Sequence, residues 1–504
     1  MVATVPPTPP RAAFPLVAVL LLAATKLIIH LLVGGRYGYH RDELYYLAGG
    51  DHLAWGYVDH PPLTPFLARL VGDVFGNSLF WLRLLPAVAG TVIVVLAALL
   101  AREFGGRTWS PVLAAFAVLV APIFLAANAL FQTVSFDQLW WVVALLLVVK
   151  LLKGADQRLW LALGIVFGVG LETKQTILLL AGGLAVGLLS APTRAWFRAP
   201  WPWLGGAIAL LIWAPNLAWQ ATNNWPSVEF SRNNNAAWRQ ETNLFESFIG
   251  QITLVGPFGL ALWIAGWWFL WQAREGRYRP LAVAYAVIAA AMLAINAKYY
   301  YLGPFYPVLL AAGAVAAERW FATATAARRR VVVGVAALAA IGTLPIVPLL
   351  MPALPVQTAK DTGYLEASDD LSEQIGWPEL AEAVAAVHAT LPEPERATAA
   401  ILTGNYGQAG AIDRYGPALD LPSAASAHNS YALWGPGRLV TADAVIVLGL
   451  SESTRVDLFD RCDLAATSRN RLGVDNEEQG RPIYVCHALR MPVGAAWERL
   501  THYD

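Results

Sequence analysis

Apolar residues come in long unbroken runs over the first 350 positions and then stop doing so. FPLVAVLLLAATKLIIHLLVG begins at Phe14, WWVVALLLVVKLL at Trp140 and LAVAYAVIAAAMLAI at Leu281, with similar runs between them as far as Leu350. A helix needs roughly 20 apolar residues to cross a bilayer. The pattern predicts spans near 13–33, 79–101, 110–131, 135–152, 159–172, 176–190, 203–219, 246–271, 280–296, 300–317 and 331–350, about 11 in all. The fifth and sixth flank LETKQT and are short, as expected of half-helices lining a cavity. The first run exceeds a signal-peptide core and ends in Gly34-Gly35-Arg36 without a small-x-small cleavage site, so it reads as a retained helix.

Basic residues recur in every second connection: Arg102 and Arg107; Lys153 and Arg158; Arg194 and Arg198; Arg274, Arg277 and Arg279; Arg319 and Arg328 to Arg330. The positive-inside rule assigns these loops, and the N-terminus with Arg11, to the cytoplasm of a bacterial-type inner membrane. An odd span count then sends the connections around Asp42, Lys174, Asn223 and Lys298, and the C-terminal segment, to the outer face.

After Pro355 the texture changes. The short apolar runs AAILTG, DAVIVLGL and PIYVC accompany a helical stretch, PELAEAVAAVHATL, and polar residues rise. The expectation is a polytopic α-helical membrane domain over 1–350 and an extracytoplasmic α/β domain over 351–504. Cys462 and Cys486 both fall in the second, where a disulfide and two buried thiols are open in equal measure. The composition, 57% hydrophobic and 14% charged, places the chain in lipid, and a formal net charge of zero argues against a nucleic-acid partner.

Chemistry concentrates after the first span, in YGYHRDELYYLAGGDHLAWGYVDHPPL. Leu44, Leu47 and Ala48 at helical spacing predict a short amphipathic helix on the membrane surface with Asp42 near its start. An Asp there often only caps the helix. With Glu43 beside it and Asp59-His60 following among Tyr and Trp, a general base for an acceptor hydroxyl becomes the better reading. Glu43 points about a quarter turn away and is expected to orient a neighbour. Asp59 and His60 could ligate a divalent metal, but the metal-binding spacings are absent and that signal is weak.

Further candidate residues fall at the same face. Asp137 opens a span in FQTVSFDQLWW and is either a cap or a functional carboxylate. Lys174, in GLETKQT, calls for an anionic partner, a phosphate or the neighbouring Glu172. Lys298 and Tyr300, in NAKYYYLGPFYP, fit a pocket or an interfacial aromatic belt. Arg232 and Arg239 lie in an amide-rich outer loop that reads mainly as solvated.

RDELYYLAGG, VDHPPL, Asp137, the Thr-Lys of GLETKQT and KYYYLGPFYP together resemble the GT-C glycosyltransferases, in the group of the protein O-mannosyltransferases and the aminoarabinose lipid A transferases, over roughly residues 14 to 320. The resemblance implies a sugar donor linked to polyprenyl phosphate and held in membrane lipid, inverting transfer at the outer face, Asp42 as the catalytic carboxylate, and Lys174 and Lys298, with Tyr300 beside them, near the donor phosphate. His60 stands where the aminoarabinose enzymes carry a lysine, and the C-terminal region differs from that of the mannosyltransferases, so the acceptor (lipid, glycan or protein) does not carry over. No P-loop and no GxGxxG after a strand is present, in keeping with a lipid phosphate as leaving group. No cofactor is required, with a divalent metal left open. A transporter or channel is the main rival, because intramembrane charges and broken helices also mark permeation paths. A non-catalytic scaffold is the third reading.

Overall fold

The computed structural model of the chain describes residues 13–273 and 276–504. Arg11 and Arg274 of the basic pattern lie outside them. The helices run α1 (Leu16–Val33), α2 (Arg41–Asp51), α3 (Leu63–Phe75), α4 (Leu79–Glu103), α5 (Ser110–Val120), α6 (Pro122–Ala127), α7 (Thr133–Leu152), α8 (Leu159–Leu171) and α9 (Ile177–Leu189). They continue with α10 (Pro200–Thr222), α11 (Pro226–Glu241), α12 (Leu244–Gln272), α13 (Arg279–Ala294), α14 (Tyr306–Thr323) and α15 (Ala326–Ile341).

Seven helices among the described residues are long and apolar enough to cross a bilayer, or eight if α9 and the 3-10 turn Pro192–Arg198, bent by 109°, form one span. The sequence predicts about 11 spans with the fifth and sixth short; seven or eight of them reach full length. An apolar helix stands at each expected place, but α5, α8 and α13 are 11, 13 and 16 residues long. At 1.5 Å per residue, about 13 residues reach only about 20 Å of a hydrocarbon core of about 30 Å.

The run 110–131 fails as one helix because Pro122 drives Ala121 to φ −68, ψ 126, in the extended region. The six-residue α6 that follows cannot satisfy its own last carbonyls. Side chains from neighbouring helices do so: the Lys26 ammonium of α1 donates to the Phe124 carbonyl, His30 Nε2 lies 3.2 Å from the Leu125 carbonyl, and the Ser135 hydroxyl of α7 donates to that of Ala127. A fully buried lysine inside an apolar helix is thereby explained. Directly opposite, α12 bends at Gly256, whose φ of 74 only glycine adopts without strain, just before Pro257; a Cβ there would sit 3.2 Å from the Pro122 ring.

Elsewhere the bundle is held by close backbone approach, since apolar lipid gives helices no hydrophobic reason to associate. A Cβ on Gly164 of α8 would fall 2.2 Å from the Gly205 carbonyl of α10, and one on Gly313 of α14 would fall 2.0 Å from the Leu262 carbonyl of α12. At one end of the bundle the Glu318 carboxylate accepts the backbone N–H groups of Arg107, Thr108 and Trp109 at 2.8, 2.9 and 3.0 Å, and Lys153 pairs with Glu103. Several of the basic connections therefore gather at a common end.

Beyond the bundle, the helix Trp377–Thr390 covers a five-stranded sheet of order β2-β1-β3-β5-β4, with β1 (Ala400–Thr403), β2 (Ala424–Ser426), β3 (Ala444–Leu448), β4 (Phe459–Thr467) and β5 (Pro482–Leu489). β1 runs parallel to β2 and β3, and β5 runs antiparallel to β3 and β4. Cys462 and Cys486 face each other across β4 and β5 and are joined in a disulfide.

One face of this sheet domain shares an apolar core with the start of the chain. Leu44 and Tyr46 of α2 and Leu82 of α4 pack with Trp377, Leu380, Ile401, Ile412 and Ile446. α2 is more enclosed than the amphipathic pattern of its residues suggests. It is enclosed between α3 and the helix Tyr406–Tyr415, with seven of its eleven residues buried.

Candidate functional site

The N-terminus of α2 is tightly specified. His40 precedes the first turn; its backbone N–H donates to Glu43 Oε2 at 2.9 Å, and its Nδ1 accepts the Asp42 N–H at 3.2 Å. These bonds satisfy two of the amides that a helix start leaves open, and they make His40, not Asp42, the capping residue. His40 Nε2 and Arg41 Nε meet the same oxygen of Glu373, at 3.0 and 3.1 Å, so the sheet domain grips this turn directly.

Glu43 is fully buried. The Arg83 guanidinium of α4 holds it bidentately at 2.7 and 2.8 Å, and the Phe131 N–H at 2.8 Å and the His40 N–H at 2.9 Å bring the donors to four. A carboxylate with that many fixed donors binds α2, α4 and the turn before α7 together. It has no capacity left for substrate.

Asp42 is only half-buried, and its Oδ1 accepts the hydroxyl of Tyr406 at 2.8 Å. Burial pushes its pKa up, but the charges of His40 and Arg41, the Tyr406 hydrogen bond and the charge of Lys298 outweigh that, leaving the carboxyl below its ordinary value. The group is thus an anion across the physiological range. Tyr406 stacks on Tyr45 at 4.6 Å between ring centroids, and the Tyr45 hydroxyl donates to Asp59 Oδ1 at 2.7 Å. Asp42 and Asp59 are therefore each oriented by one of two stacked phenols.

His60 sits behind them, almost wholly buried, with Tyr46 and Tyr57 centroids at 5.0 and 4.7 Å. Its Nδ1 lies 3.1 Å from the Pro61 carbonyl and its Nε2 3.8 Å from Asp59 Oδ1, with no hydrogen-bond partner on Nε2 among the described residues. As a metal pair Asp59 and His60 present two donor atoms, one of them already engaged by Tyr45.

Asp137 and Lys174 form the other side. Both Asp137 oxygens are occupied, Oδ1 by the Trp141 indole at 3.0 Å and Oδ2 by the Thr176 hydroxyl at 2.8 Å, which ties α7 to the turn before α9. The Lys174 ammonium lies 5.6 and 5.3 Å from the Tyr300 and Tyr301 rings. Burial lowers its pKa to about 8 against the attraction of Asp137, while Lys298 lowers it and Asp42 and Asp59 raise it. Lys174, Lys298, Asp42, Asp59 and Asp137 accordingly share one electrostatic field. Glu172, the proposed structural mate of Lys174, is not its partner: among the described residues neither carboxylate oxygen has a hydrogen bond, and the side chain faces an apolar cleft of about 600 Å³ lined by Trp55, Pro62, Leu63, Phe66 and Ile212.

The segment around Arg232 and Arg239 is a helix, α11, and not the expected loop. Pro226 in its first turn pre-sets the backbone, and Arg239 donates to the Ile295 carbonyl at 2.7 Å. Tyr406, Arg83 and Glu373 are the contacts that sequence reasoning missed. The one available signal for Tyr406 was Asn405, whose side chain accepts the Gln408 N–H at 2.8 Å and starts the helix there.

Residues 59–219 match the family described as dolichyl-phosphate-mannose-protein mannosyltransferase. A lipid A galacturonosyltransferase, RgtD, from Rhizobium johnstonii is 26% identical over 244 residues, 47% of this chain; the chain spans about half the length of this curated relative. Among solved structures, ArnT from Cupriavidus metallidurans superposes with a TM-score of 0.58 when bound to undecaprenyl phosphate and 0.59 in its apo state, at 16% identity. These superpositions cover 93% and 96% of this chain and 97% and 99% of ArnT. The mycobacterial arabinofuranosyltransferase AftD gives a TM-score of 0.53 at 14% identity, covering 95% of this chain and 40% of AftD. The resemblance drawn from RDELYYLAGG and VDHPPL and the path of the backbone agree: the chain is a membrane protein with the GT-C fold in its ArnT-like form.

Proposed function

We propose that the protein is an inverting glycosyltransferase that moves a sugar from a polyprenyl-phosphate donor to a hydroxyl acceptor at the outer face of the membrane. The observation that carries this reading is the pairing of an anionic, Tyr406-oriented Asp42 with the cations Lys174 and Lys298 in a common field. In-line transfer needs a base on the acceptor side and positive charge where the phosphate departs.

In this scheme Asp42 takes the proton from the acceptor hydroxyl as that oxygen attacks the anomeric carbon. The bond from that carbon to the phosphate oxygen breaks on the opposite side, which inverts the centre. Lys174 and Lys298 stabilise the charge gathering on the released polyprenyl phosphate, and Tyr300 and Tyr301 hold Lys174 in place. Asp59 and Asp137 shape the field, and His60 takes the place of a lysine found in aminoarabinose enzymes. The acceptor is a lipid or glycan, by likeness to a relative described as acting on lipid A.

The test is transfer by purified protein in liposomes carrying labelled polyprenyl-phosphate sugars, with lipid and glycan acceptors read by mass spectrometry. Wild type should transfer with inversion, and Asp42→Asn should bind donor without transferring it. Solute movement across the liposomes with no transfer from any donor would replace this reading with a transporter.

A further inference from the structure

His428, His502 and Asp504 come together outside the site described above. The loop after β2 and the segment after the helix Val493–Leu500 run side by side as a parallel bridge: the His502 N–H donates to the Ala427 carbonyl and the Asn429 N–H to the His502 carbonyl, both at 3.1 Å. Main-chain bonds thus fix the two imidazoles next to each other, stacked at 4.5 Å between centroids. Asp504 Oδ1 lies 3.0 Å from His428 Nε2 and 4.0 Å from His502 Nε2.

We propose that these three side chains bind a zinc-class divalent cation that clips the segment Thr501–Asp504 onto the loop carrying His428. The three donor atoms fall within 4.8 Å of one another. Around a tetrahedral zinc with bonds of about 2.0–2.1 Å, neighbouring donors stand about 3.3 Å apart, inside the observed range. His502 Nδ1 lies 2.8 Å from the Leu500 carbonyl; donation there fixes the tautomer and leaves Nε2 as the ligating atom. His428 is buried, and its polar contacts are to Asp504 alone among the described residues. A site of two imidazoles and one carboxylate suits zinc and its neighbours rather than magnesium or calcium, which favour all-oxygen shells. His502 and Asp504 are 43% and 57% exposed, so the fourth position faces solvent.

The clip bears on the supports of the site. The Tyr406 ring packs on His428 at 4.9 Å, Val58 N–H donates to Ser430 Oγ, and Ser430 N–H donates to the Tyr45 hydroxyl. From the other side, Asn233 of α11 donates to the Tyr503 carbonyl. Holding residues 501–504 in place would stiffen the loop on which both phenols rest.

The experiment titrates chelator-stripped, full-length protein in detergent with Zn²⁺ and Co²⁺, reading stoichiometry by calorimetry and the visible bands of four-coordinate Co²⁺. Wild type should take one cation that His502→Ala and Asp504→Asn each weaken about tenfold or more. Asp42→Asn and Asp59→Asn should retain it, which separates this cation from any metal at the base. Zn²⁺ should also slow amide exchange in 427–430 and 500–503. Binding that is absent, or that His502→Ala leaves unchanged, overturns the proposal; both substituted positions are exposed, so folding does not confound the outcome. The readouts do not depend on sugar transfer, so failure here is distinct from failure of the proposed function.

Discussion

The phenol of Tyr406 donates to Oδ1 of Asp42 at 2.8 Å, so the C-terminal domain supplies the residue that orients the proposed base. This bond is among the forces keeping the Asp42 carboxyl below its ordinary value. In Tyr406→Phe that value rises, and the acid limb of the kcat/KM profile should move to higher pH. Asp42→Asn should lower kcat by roughly 10²-fold or more, the usual worth of a general base. Rates measured against pH for both variants check the two statements together.

At the alkaline side the relevant group is Lys174. Its ammonium, lowered to about 8 by burial, loses its charge above that pH. The alkaline limb of kcat/KM, which reports the free enzyme, should fall near there. Lys174→Arg keeps its charge at all accessible pH values, so the limb should move upward even if the rate drops. An unmoved limb would assign it to another group.

The Glu43–Arg83 pair makes a prediction about stability. Both partners are buried and bonded bidentately. Arg83→Ala leaves a carboxylate uncompensated in the interior and should cost about 3–5 kcal/mol, whereas removing both charges costs less than the single change. Thermal unfolding in detergent, comparing Arg83→Ala with Arg83→Met/Glu43→Gln, measures the difference.

Cys462 and Cys486 close a loop of sequence separation 24 and tie the outermost strand, β4, to β5. Their joint replacement by Ser should lower stability by about 3 kcal/mol. β4 is exposed on both faces over most of its length and packs little, so hydrogen exchange should rise there first.

Much of this architecture is readable from the pattern of residues, and the limits have physical causes. Apolar runs locate the helices because lipid demands them, yet they do not reveal that Pro122 splits one run in two or that Lys26 answers the carbonyls this frees. The first is a local effect of the proline on Ala121 that hydropathy alone does not register; the second is a tertiary contact between residues 98 positions apart. AAILTG, DAVIVLGL and PIYVC mark β1, β3 and β5, whose centres are apolar on both faces. The three-residue β2 and the largely exposed β4, in which charged and apolar residues are mixed, carry no such signature. Asp42 stands out because charges crowd around it after a membrane helix. Tyr406 does not, because an ordinary tyrosine acquires its part only by meeting α2.

That meeting joins residues 364 positions apart in the chain. During synthesis Asp42 emerges early, with its first span, while the phenol that aims it is made only after about four-fifths of the 504 residues and meets α2 once the sheet domain has formed. A ribosome-bound intermediate therefore holds the acid without its orientation. A chain cut short before Tyr406 should insert into lipid as readily as the whole protein and lack the activity proposed for Asp42.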